Sequence, residues 1–582
     1  MPIQCKLVQC AITEAPAYDA LSYCWGDPTV EGGVILIGNS YLHITESLHS
    51  ALHQFRESND ECDKILLWVD AVCINQKDIP ERNEQVKLMR NIYRSARKTM
   101  IWLGPADIFS KIAFELASFV IGAIQQQAPA EMVEVERDAV ECFFRFLDRP
   151  WFRRIWIVQE VAVSSQAVVR CGGSMIQWHA FLAVCMYVLK LKIKVAWAQP
   201  DPLIAIHVAR SSFQSDGDTD LLSALQRHRA FQATDPRDKI FGLLGLVAKS
   251  EIADLGVEVD YNTPAEDLFS RFAIAALKRN ENLDVLDCAG LDISSTASGN
   301  KLPSWVPDWS VWKMPSTTMF LNLPQSLITV DFKSSKGTKI AVQLSEDHKL
   351  LGLDGYVVDR ISVVGLLYDK LPELTAGPPI FGVDTPEILE KRTSAKAIQI
   401  LEVFESWRQV SGVLTQPTYV TGDSFLEVYF RTLVGGNMYP DEVQLREAFL
   451  KWFNTTCQLW WDLTGAGKTT SLADALGACT KSPLSAIEQN NTLKNGQMDF
   501  GSISGSMFQR RMFRTEKGYI GLGPEATTVG DEIGLFKGGK APLIIRQNEE
   551  PNNWTLLGTT YVDGMMQGEL FAEEACQVYW FQ

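Results

Sequence analysis

The sequence predicts an α/β protein: an N-terminal parallel sheet, then a helical region, then a small β-rich C-terminal module. The run from Ile65 to Gly104 places a segment of helical period between two apolar, strand-like hexads, ILLWVD and TMIWLG. That pattern is typical of a parallel sheet covered by helices. From Trp178 to about Asn280 the apolar spacing is mostly helical. From Phe500 onward, short apolar runs alternate with glycine turns, which predicts a small antiparallel barrel or sheet.

Length and composition predict several domains. A chain of 582 residues exceeds one core, and at roughly 150 residues per domain it should hold three or four. Its 46% hydrophobic and 21% charged residues are typical of a folded protein. We expect an N-terminal domain over residues 1–175, a helical region over 176–310, a mixed region with insertions over 311–499, and the β-rich module over 500–582.

Charge and cysteine usage restrict the partners and the compartment. A net charge of −16 argues against nonspecific binding to nucleic acid or to an anionic membrane. No apolar stretch approaches the ~20 residues that span a bilayer, and MPIQCKLVQC lacks the apolar core of a signal peptide. The twelve cysteines show no CxxC pairing. We therefore expect a cytoplasmic protein with no membrane span, no nucleic-acid partner and no metal site.

Within the first 175 residues, apolar spacing and turn residues predict each element in chain order. Tyr18–Tyr23 is predicted to be the first strand, and a hairpin follows it. Thr45 is predicted to cap the next helix. The remaining predicted bounds are 33–38 and 41–44 for the hairpin, 108–126 and 133–147 for two helices, 151–164 for a helix after Pro150, and 166–171 for a closing strand.

One acidic residue in the predicted helix over 151–164 needs an explanation. Phe152, Trp156 and Glu160 are spaced by four and would share a face. Because the rest of that face is apolar, Glu160 should point toward the interior or a cleft edge. A carboxylate there is costly unless it is paired, hydrogen-bonded or protonated. Two interpretations stay open: a structural acid held by a loop amide or by a base such as Arg149 or Arg153, and a functional carboxylate.

Three blocks of the sequence resemble the fungal heterokaryon-incompatibility (HET) domain in order and spacing. They are YDALSYCWGD (residues 18–27), LWVDAVCINQ (67–76) and RPWFRRIWIVQEV (149–161). ATDPRDKIFGLLGL (233–246), LPSWVPDWS (302–310), GYIGLGP and YVDGMMQGE resemble segments that often follow in such proteins. The resemblance implies a role in fungal non-self recognition and programmed cell death.

The same blocks are distantly similar to TIR (Toll/interleukin-1 receptor) domains, whose flavodoxin-like parallel sheet is then implied here. WIVQE is similar to the TIR helix block in which Trp and Glu lie four residues apart. That similarity implies Glu160 as the catalytic residue of NAD-glycohydrolase or cyclase chemistry, with NAD as substrate and no cofactor. A carboxylate can stabilise the positive charge that builds on ribose as nicotinamide leaves. The candidate substrate-binding residues are Ser22, Tyr23, Trp25, Asp27, Asp70 and Trp156.

The supporting residues also have structural interpretations. Asp70 could cap the turn after its strand, and the hydroxyls of Ser22 and Tyr23 could be ordinary strand-end groups. Trp25 could shape a tight turn. Two further motifs are dismissed: Asp462–Thr470 lacks the first glycine of a Walker A loop, and His49 with His53 lacks the glutamate of the zincin pattern.

Three functions remain open on the sequence. The first is a HET effector that consumes NAD after non-self recognition. The second is a signalling adaptor, in which the N-terminal domain self-associates, an unknown protein partner is recognised, and Glu160 is structural. The third is an accessory protein of fungal secondary metabolism or stress response.

Overall fold

The computed structural model divides the chain into two compact units, Met1–Leu268 (unit 1) and Phe269–Gln582 (unit 2), and each is described by itself. The structure describes residues 3–27, 29–30, 32–57, 66–191, 193, 201–215, 217–290, 302–311, 331–368, 386–436, 442–464 and 506–582.

Unit 1 mixes strands and helices. In chain order its strands are β1 (Ile3–Cys5), β2 (Asp19–Tyr23), β3 (Gly33–Ile37), β4 (Ser40–Ile44), β5 (Leu67–Trp68), β6 (Thr99–Trp102), β7 (Ala167–Cys171) and β8 (Ser174–Gln177). Its helices are α1 (Glu46–Glu57), α2 (Asp70–Cys73), α3 (Ile79–Ser95), α4 (Ile108–Gln125), α5 (Arg137–Leu147), α6 (Trp156–Ala162), α7 (Trp178–Lys190), α8 (Asp201–Ser215), α9 (Leu221–Arg227), α10 (Asp238–Phe241) and α11 (Lys249–Asp254). A further helix, α12 (Ala265–Asn280), runs across the border between the units.

A five-stranded sheet forms the centre of unit 1, in the order β5-β2-β6-β7-β8. The first four strands are parallel, and β8 returns antiparallel to β7. Every residue of β2, β6 and β7 is buried, as expected for parallel strands covered on both faces. β5, α3 and β6 form the strand–helix–strand unit that the Ile65–Gly104 pattern predicts, although Ile65 itself lies outside the described residues.

A smaller sheet in the order β1-β3-β4 contains the predicted hairpin. Gly38 has a φ of 61° in the two-residue turn, a conformation that glycine adopts without strain. The helix after the hairpin also matches its prediction, because the Leu48 amide lies 3.5 Å from the Thr45 hydroxyl at the start of α1.

Helix α3 shows how local sequence fixes an element against the sheet. Asp78 caps its N-terminus by accepting a hydrogen bond from the Glu81 amide at 3.0 Å. Its buried face carries Met89, Ile92 and Tyr93. The Tyr93 hydroxyl donates to the Leu21 carbonyl at 2.9 Å, which attaches the helix to β2.

The predicted single helix over 151–164 is wrong in one respect. A 3₁₀ turn over Pro150–Arg153 and the helix α6 are separate elements. Arg154 between them has an extended backbone, with φ −79° and ψ 136°, and the Ile155 amide donates to the Gln232 carbonyl at 2.9 Å. Phe152 therefore does not share a helical face with Trp156 and Glu160. The predicted helix over 133–147 also begins later, at Arg137.

Unit 2 combines a β-rich module with helices. Its strands are β9 (Val342–Leu344), β10 (Leu351–Tyr368), β11 (Arg510–Thr515), β12 (Ile520–Pro524), β13 (Glu532–Phe536), β14 (Leu543–Gln547), β15 (Asn553–Thr559), β16 (Tyr561–Val562) and β17 (Gln577–Phe581). Its later helices are α13 (Pro386–Ser411), α14 (Phe425–Leu433) and α15 (Glu442–Thr464).

The sheet of unit 2 is barrel-like, as predicted for the C-terminal module. β10 pairs with both β13 and β17, and β14 and β15 complete the ring between them. The remainder of β10 pairs with β11, which leads to β12 and β16. β10 lies in the region 311–499, which the sequence leaves mixed. Its register shifts, including one between Ile361 and Val363, interrupt the alternation that marks a strand.

By length and composition alone, one helix of the described residues, α4, could cross a membrane. Its buried side chains face the interior of unit 1, where it packs against α5 and α7. A core helix of a folded domain passes the same test.

The sheet of unit 1 supplies a stability prediction. Ile101 lies on β6, between β2 and β7, and is fully buried. We expect Ile101→Ala to destabilise unit 1 by about 2–5 kcal/mol, because the lost methyl groups leave a cavity. Met175→Ala, at an exposed position of β8, should change stability by less than about 0.5 kcal/mol. The stability changes of both variants are measured by urea unfolding of the full chain, with hydrogen exchange of unit 1 peptides as the readout. Equal losses of stability in the two variants would contradict the buried position of Ile101.

Candidate functional site

Three charged side chains meet where the parallel strands of unit 1 end. β2 ends at Tyr23, Asp70 follows β5, and α6 brings Glu160 to the same place. Glu160 and Asp70 both interact electrostatically with Arg154 and raise its pKa, and Asp70 also raises the pKa of Glu160. The carboxyl ends of parallel strands are the usual place for ligand binding in such sheets.

Glu160 is buried, and its hydrogen bonds and charge partners only partly offset the free-energy cost of burying a carboxylate. Its side chain is 3% exposed, and its Oε2 has no hydrogen-bond partner within the described parts of the chain. Burial raises the pKa of this carboxyl from 4.5 to about 7, although Arg154 and a hydrogen bond from Ser22 act in the opposite direction. A group with this pKa can exchange a proton near neutral pH.

Ser22 is the direct polar contact of Glu160. It is buried on β2, and its Oγ accepts a hydrogen bond from the Trp151 indole at 2.9 Å. Because the indole N–H occupies an acceptor position of the hydroxyl, the Ser22 proton is left to donate to the carboxylate. Trp151 thus orients the serine toward Glu160.

Arg154 is shared between the two acids. Its guanidinium donates to the Tyr23 carbonyl at the end of β2. Burial opposes the charge on Arg154, but Glu160 and then Asp70 raise its pKa. With both acids ionised, two negative charges would face one positive charge. The cluster would then carry a net negative charge, unlike a simple ion pair.

Asp70 combines a structural and a site contact. Its Oδ1 accepts from the adjacent Ala71 amide at 2.7 Å in the first turn of α2, whose N-cap is Val69 and has no side-chain cap hydrogen bond, so Asp70 is not the predicted cap. Its Oδ2 accepts from the Trp25 indole at 2.9 Å. Burial raises the pKa of Asp70, against the effects of Arg154 and Trp25. Asp70 therefore both starts a helix and belongs to the cluster.

Two tyrosines border the charged groups. Tyr23 is buried, and its pKa is raised by burial and then by Asp70. Tyr93 is buried on α3, and its pKa is raised by burial and then by Glu160 and Asp70. They give the cluster an aromatic wall.

The structure separates two predicted residues from the cluster. Asp27 is exposed, and its carboxylate accepts hydrogen bonds from the Thr29 amide and hydroxyl at 2.8 and 2.7 Å. These bonds lower the pKa of Asp27, so the residue orders its own turn. The Trp156 side chain instead donates a hydrogen bond to Asp238.

The basic partner of Glu160 differs from those suggested by the sequence. Arg149 pairs with Asp107 at 2.7 Å, and Arg153 pairs with Asp148 at 3.0 Å. Arg154 is instead the base that interacts with Glu160. Arg154, Tyr93 and Trp151 are site residues that the sequence did not single out; the cluster of arginines at 149–154 was the available signal for the first.

The dismissed motifs give little further chemistry. Residues 465–470 of the Walker-like stretch lie outside the described residues, and residues 462–464 end α15. Within the described ranges, no group of three or more His, Cys, Asp or Glu side chains is placed to hold a metal ion.

The position of Glu160 predicts a pH effect on stability. A raised pKa means that the folded chain keeps the Glu160 proton while the unfolded chain releases it, so stability falls as pH rises from 4.5 to about 7. When the pH is raised from 5 to 8.5, the free energy of unfolding of Glu160→Gln should increase by about 2–3 kcal/mol relative to that of the unmodified protein. Denaturant unfolding of both proteins at the two pH values measures this gain. A relative loss at pH 8.5 would show that pairing with Arg154 outweighs burial.

Comparison with known proteins identifies the family of both ends of the chain. Residues 18–160 match the family described as Heterokaryon incompatibility protein (HET), and residues 460–581 match the Het-6 beta-barrel domain. The chain is 24% identical to Heterokaryon incompatibility protein 6, OR allele, of Neurospora crassa, over 98% of this chain and 92% of that protein. The chain matches no solved structure with significance. It is therefore a fungal HET-domain protein that also carries a Het-6 barrel domain.

Proposed function

We propose that this protein acts in fungal heterokaryon incompatibility, and that its N-terminal domain triggers cell death by cleaving NAD through Glu160. The HET match and the similarity to Heterokaryon incompatibility protein 6 of Neurospora crassa support the first part. One observation supports the second part above all. Glu160 is a buried carboxylate with an unpartnered oxygen among the described residues, at the ends of the parallel strands.

The strand order supports the TIR-like part of the proposal. Numbered within the five-stranded sheet alone, the order β5-β2-β6-β7-β8 becomes 2-1-3-4-5, which is the flavodoxin-like order. In such sheets ligands bind outside the carboxyl ends of the strands, where the order reverses on either side of the first strand. Here that first strand is β2, and it ends in Ser22 and Tyr23.

Cleavage of NAD requires little from the protein beyond a negative charge placed beside the ribose. The bond between ribose C1′ and the pyridinium nitrogen breaks, and its electron pair stays on nitrogen, so nicotinamide leaves as a neutral molecule. A water oxygen then bonds to C1′ and gives its proton to Glu160, which passes it to solvent, leaving ADP-ribose. The ionised Glu160 stabilises the positive charge that develops on the ribose.

Access to Glu160 requires a change in the site. Because the side chain is 3% exposed, NAD can reach it only if a covering group moves when substrate binds or when copies assemble. Trp25 is the best candidate: it is partly buried, it is tied to the cluster by one hydrogen bond to Asp70, and Gly26 beside it has a φ of 80°. We propose that loss of this bond opens the site.

A second candidate function is a non-catalytic signalling adaptor. The burial of Glu160 against Arg154 favours it, because a structural acid would also be closed from solvent. In this alternative the N-terminal domain self-associates and passes on the recognition of an unknown protein partner. Both proposals place the protein in the cytoplasm.

A turnover assay separates the two candidates. The purified full chain is incubated with NAD at pH 8, and nicotinamide release is followed over a range of protein concentrations that includes crowded samples. We expect turnover, and we expect Glu160→Gln to lower kcat by about 100-fold or more, since the main charge-stabilising group is lost. Glu115→Gln, an exposed acid on α4, is the matched control and should keep full activity.

The contrary results are equally specific. No nicotinamide release at any concentration, with sedimentation showing that the chain assembles, would reject cleavage and support the adaptor. Release that is unchanged in Glu160→Gln would reject Glu160 as the catalytic residue.

A further inference from the structure

The helix that carries Glu160, α6, is too short to be stable without contacts from other parts of unit 1. α6 has seven residues and no side-chain hydrogen bond at its N-cap, Ile155. A helix this short is not stable alone in water, and its geometry must come from its neighbours. Those neighbours include residues 210–261, which lie beyond the HET match at 18–160.

The first contacts fix the start of α6. The Ile155 amide donates to the Gln232 carbonyl at 2.9 Å. One residue later, the Trp156 side chain donates to the Asp238 carboxylate. Trp156 precedes Glu160 by one helical turn, so the two side chains lie on the same side of α6. Any rotation of Trp156 about the helix axis also moves Glu160.

Asp238 is itself firmly held. The Tyr261 hydroxyl donates to its Oδ1 at 2.5 Å, and the Arg82 guanidinium lies over the Tyr261 ring, 3.4 Å from its centroid. Burial raises the pKa of Asp238 to about 6, against the hydrogen bonds from Tyr261 and Trp156. Arg82 belongs to α3, so Asp238 connects α6 to the helix that packs on β2.

The next contact is adjacent to Glu160. The Gly245 amide donates to Oε1 of the buried Gln159 at 3.1 Å. A Cβ at position 245 would lie 2.2 Å from that oxygen, so a larger residue would push Gln159 away. A side chain at position 245 would therefore displace the Gln159 amide from its hydrogen bond with the backbone of residue 245.

The last contact fixes the end of α6. The Arg210 guanidinium donates to the carbonyls of Val161 and Ser164, the latter at 2.7 Å. A cation at this end also interacts favourably with the helix dipole. The helix is thus held at its start, beside Glu160 and at its end.

We propose that Asp238, Gly245 and Arg210 are positioning residues for Glu160, so that the site has two parts. Residues 18–160 supply the chemical groups, and residues 210–261 set the geometry of the helix that carries the carboxylate. This inference rests on the proposed function for its catalytic meaning, but the positioning itself can be measured without it.

The experiment uses the full chain with three variants and one control. Asp238→Ala removes the acceptor, Trp156→Phe removes only the donor, and Gly245→Ala displaces Gln159. Asp267→Ala, at an exposed position of α12, is the control. Hydrogen exchange of the peptide over 156–162 is compared with that of peptides from β7 and α1, and kcat and KM for NAD are measured on the same samples.

We expect exchange in the 156–162 peptide to rise by about fivefold or more in all three variants, while β7 and α1 are unchanged. We expect kcat to fall by at least about tenfold with a smaller change in KM, because a misplaced carboxylate weakens the reaction step more than binding. Asp267→Ala should match the unmodified protein in every readout.

Two results would overturn the inference. One is exchange in 156–162 that stays at the control level in Trp156→Phe and Gly245→Ala, which settles the question even if Asp238→Ala unfolds the domain. The other is faster exchange with full kcat. If the unmodified chain releases no nicotinamide at all, the proposed function fails, whereas the exchange data still decide whether Asp238 and Gly245 position α6.

Discussion

Two carboxylates, Glu160 and Asp70, share a single guanidinium, Arg154, at the carboxyl ends of β2 and β5. Burying charges costs free energy unless they are paired and hydrogen-bonded. Here the compensation is incomplete, because Oε2 of Glu160 has no partner among the described residues and the pKa of this carboxyl is raised to about 7. A fold that keeps such a group must support it elsewhere, and the surrounding contacts of unit 1 provide that support.

The support is arranged in layers around α6. The Trp151–Ser22 hydrogen bond orients the hydroxyl that faces Glu160. Asp238, Gly245 and Arg210 hold the helix itself. The segment beyond the HET match therefore contacts the helix that carries Glu160 directly. In unit 2 the barrel-like sheet closes on β10, so that module contains its own core.

Much of unit 1 could be predicted because its signals are local. The strand–helix–strand pattern, the hairpin and the Thr45 cap depend on residues close in sequence, and each corresponds to an observed element. Glu160 could be singled out because its neighbours on α6 are apolar. β10 could not, because its pairing with three distant strands and its register shifts obscure a strand pattern.

Arg154 shows most clearly why the site was only partly predictable. In one continuous helix it would lie six residues before Glu160, rotated by about 240° from it and so facing away. The break between the 3₁₀ turn and α6 removes that constraint and brings the guanidinium to the carboxylates. The break is stabilised by the Gln232 carbonyl, 77 residues after Ile155. No local pattern in the sequence encodes such a contact.

The most direct measurement is a crystal structure of the full-length Glu160→Gln protein grown with NAD. We expect the ribose of the nicotinamide end to lie against residue 160, with Tyr23 and Asp70 around it and the Trp25 indole displaced from Asp70. A ligand bound elsewhere, or an unliganded cluster in which Arg154 still fills the space beside residue 160 at saturating NAD, would contradict it.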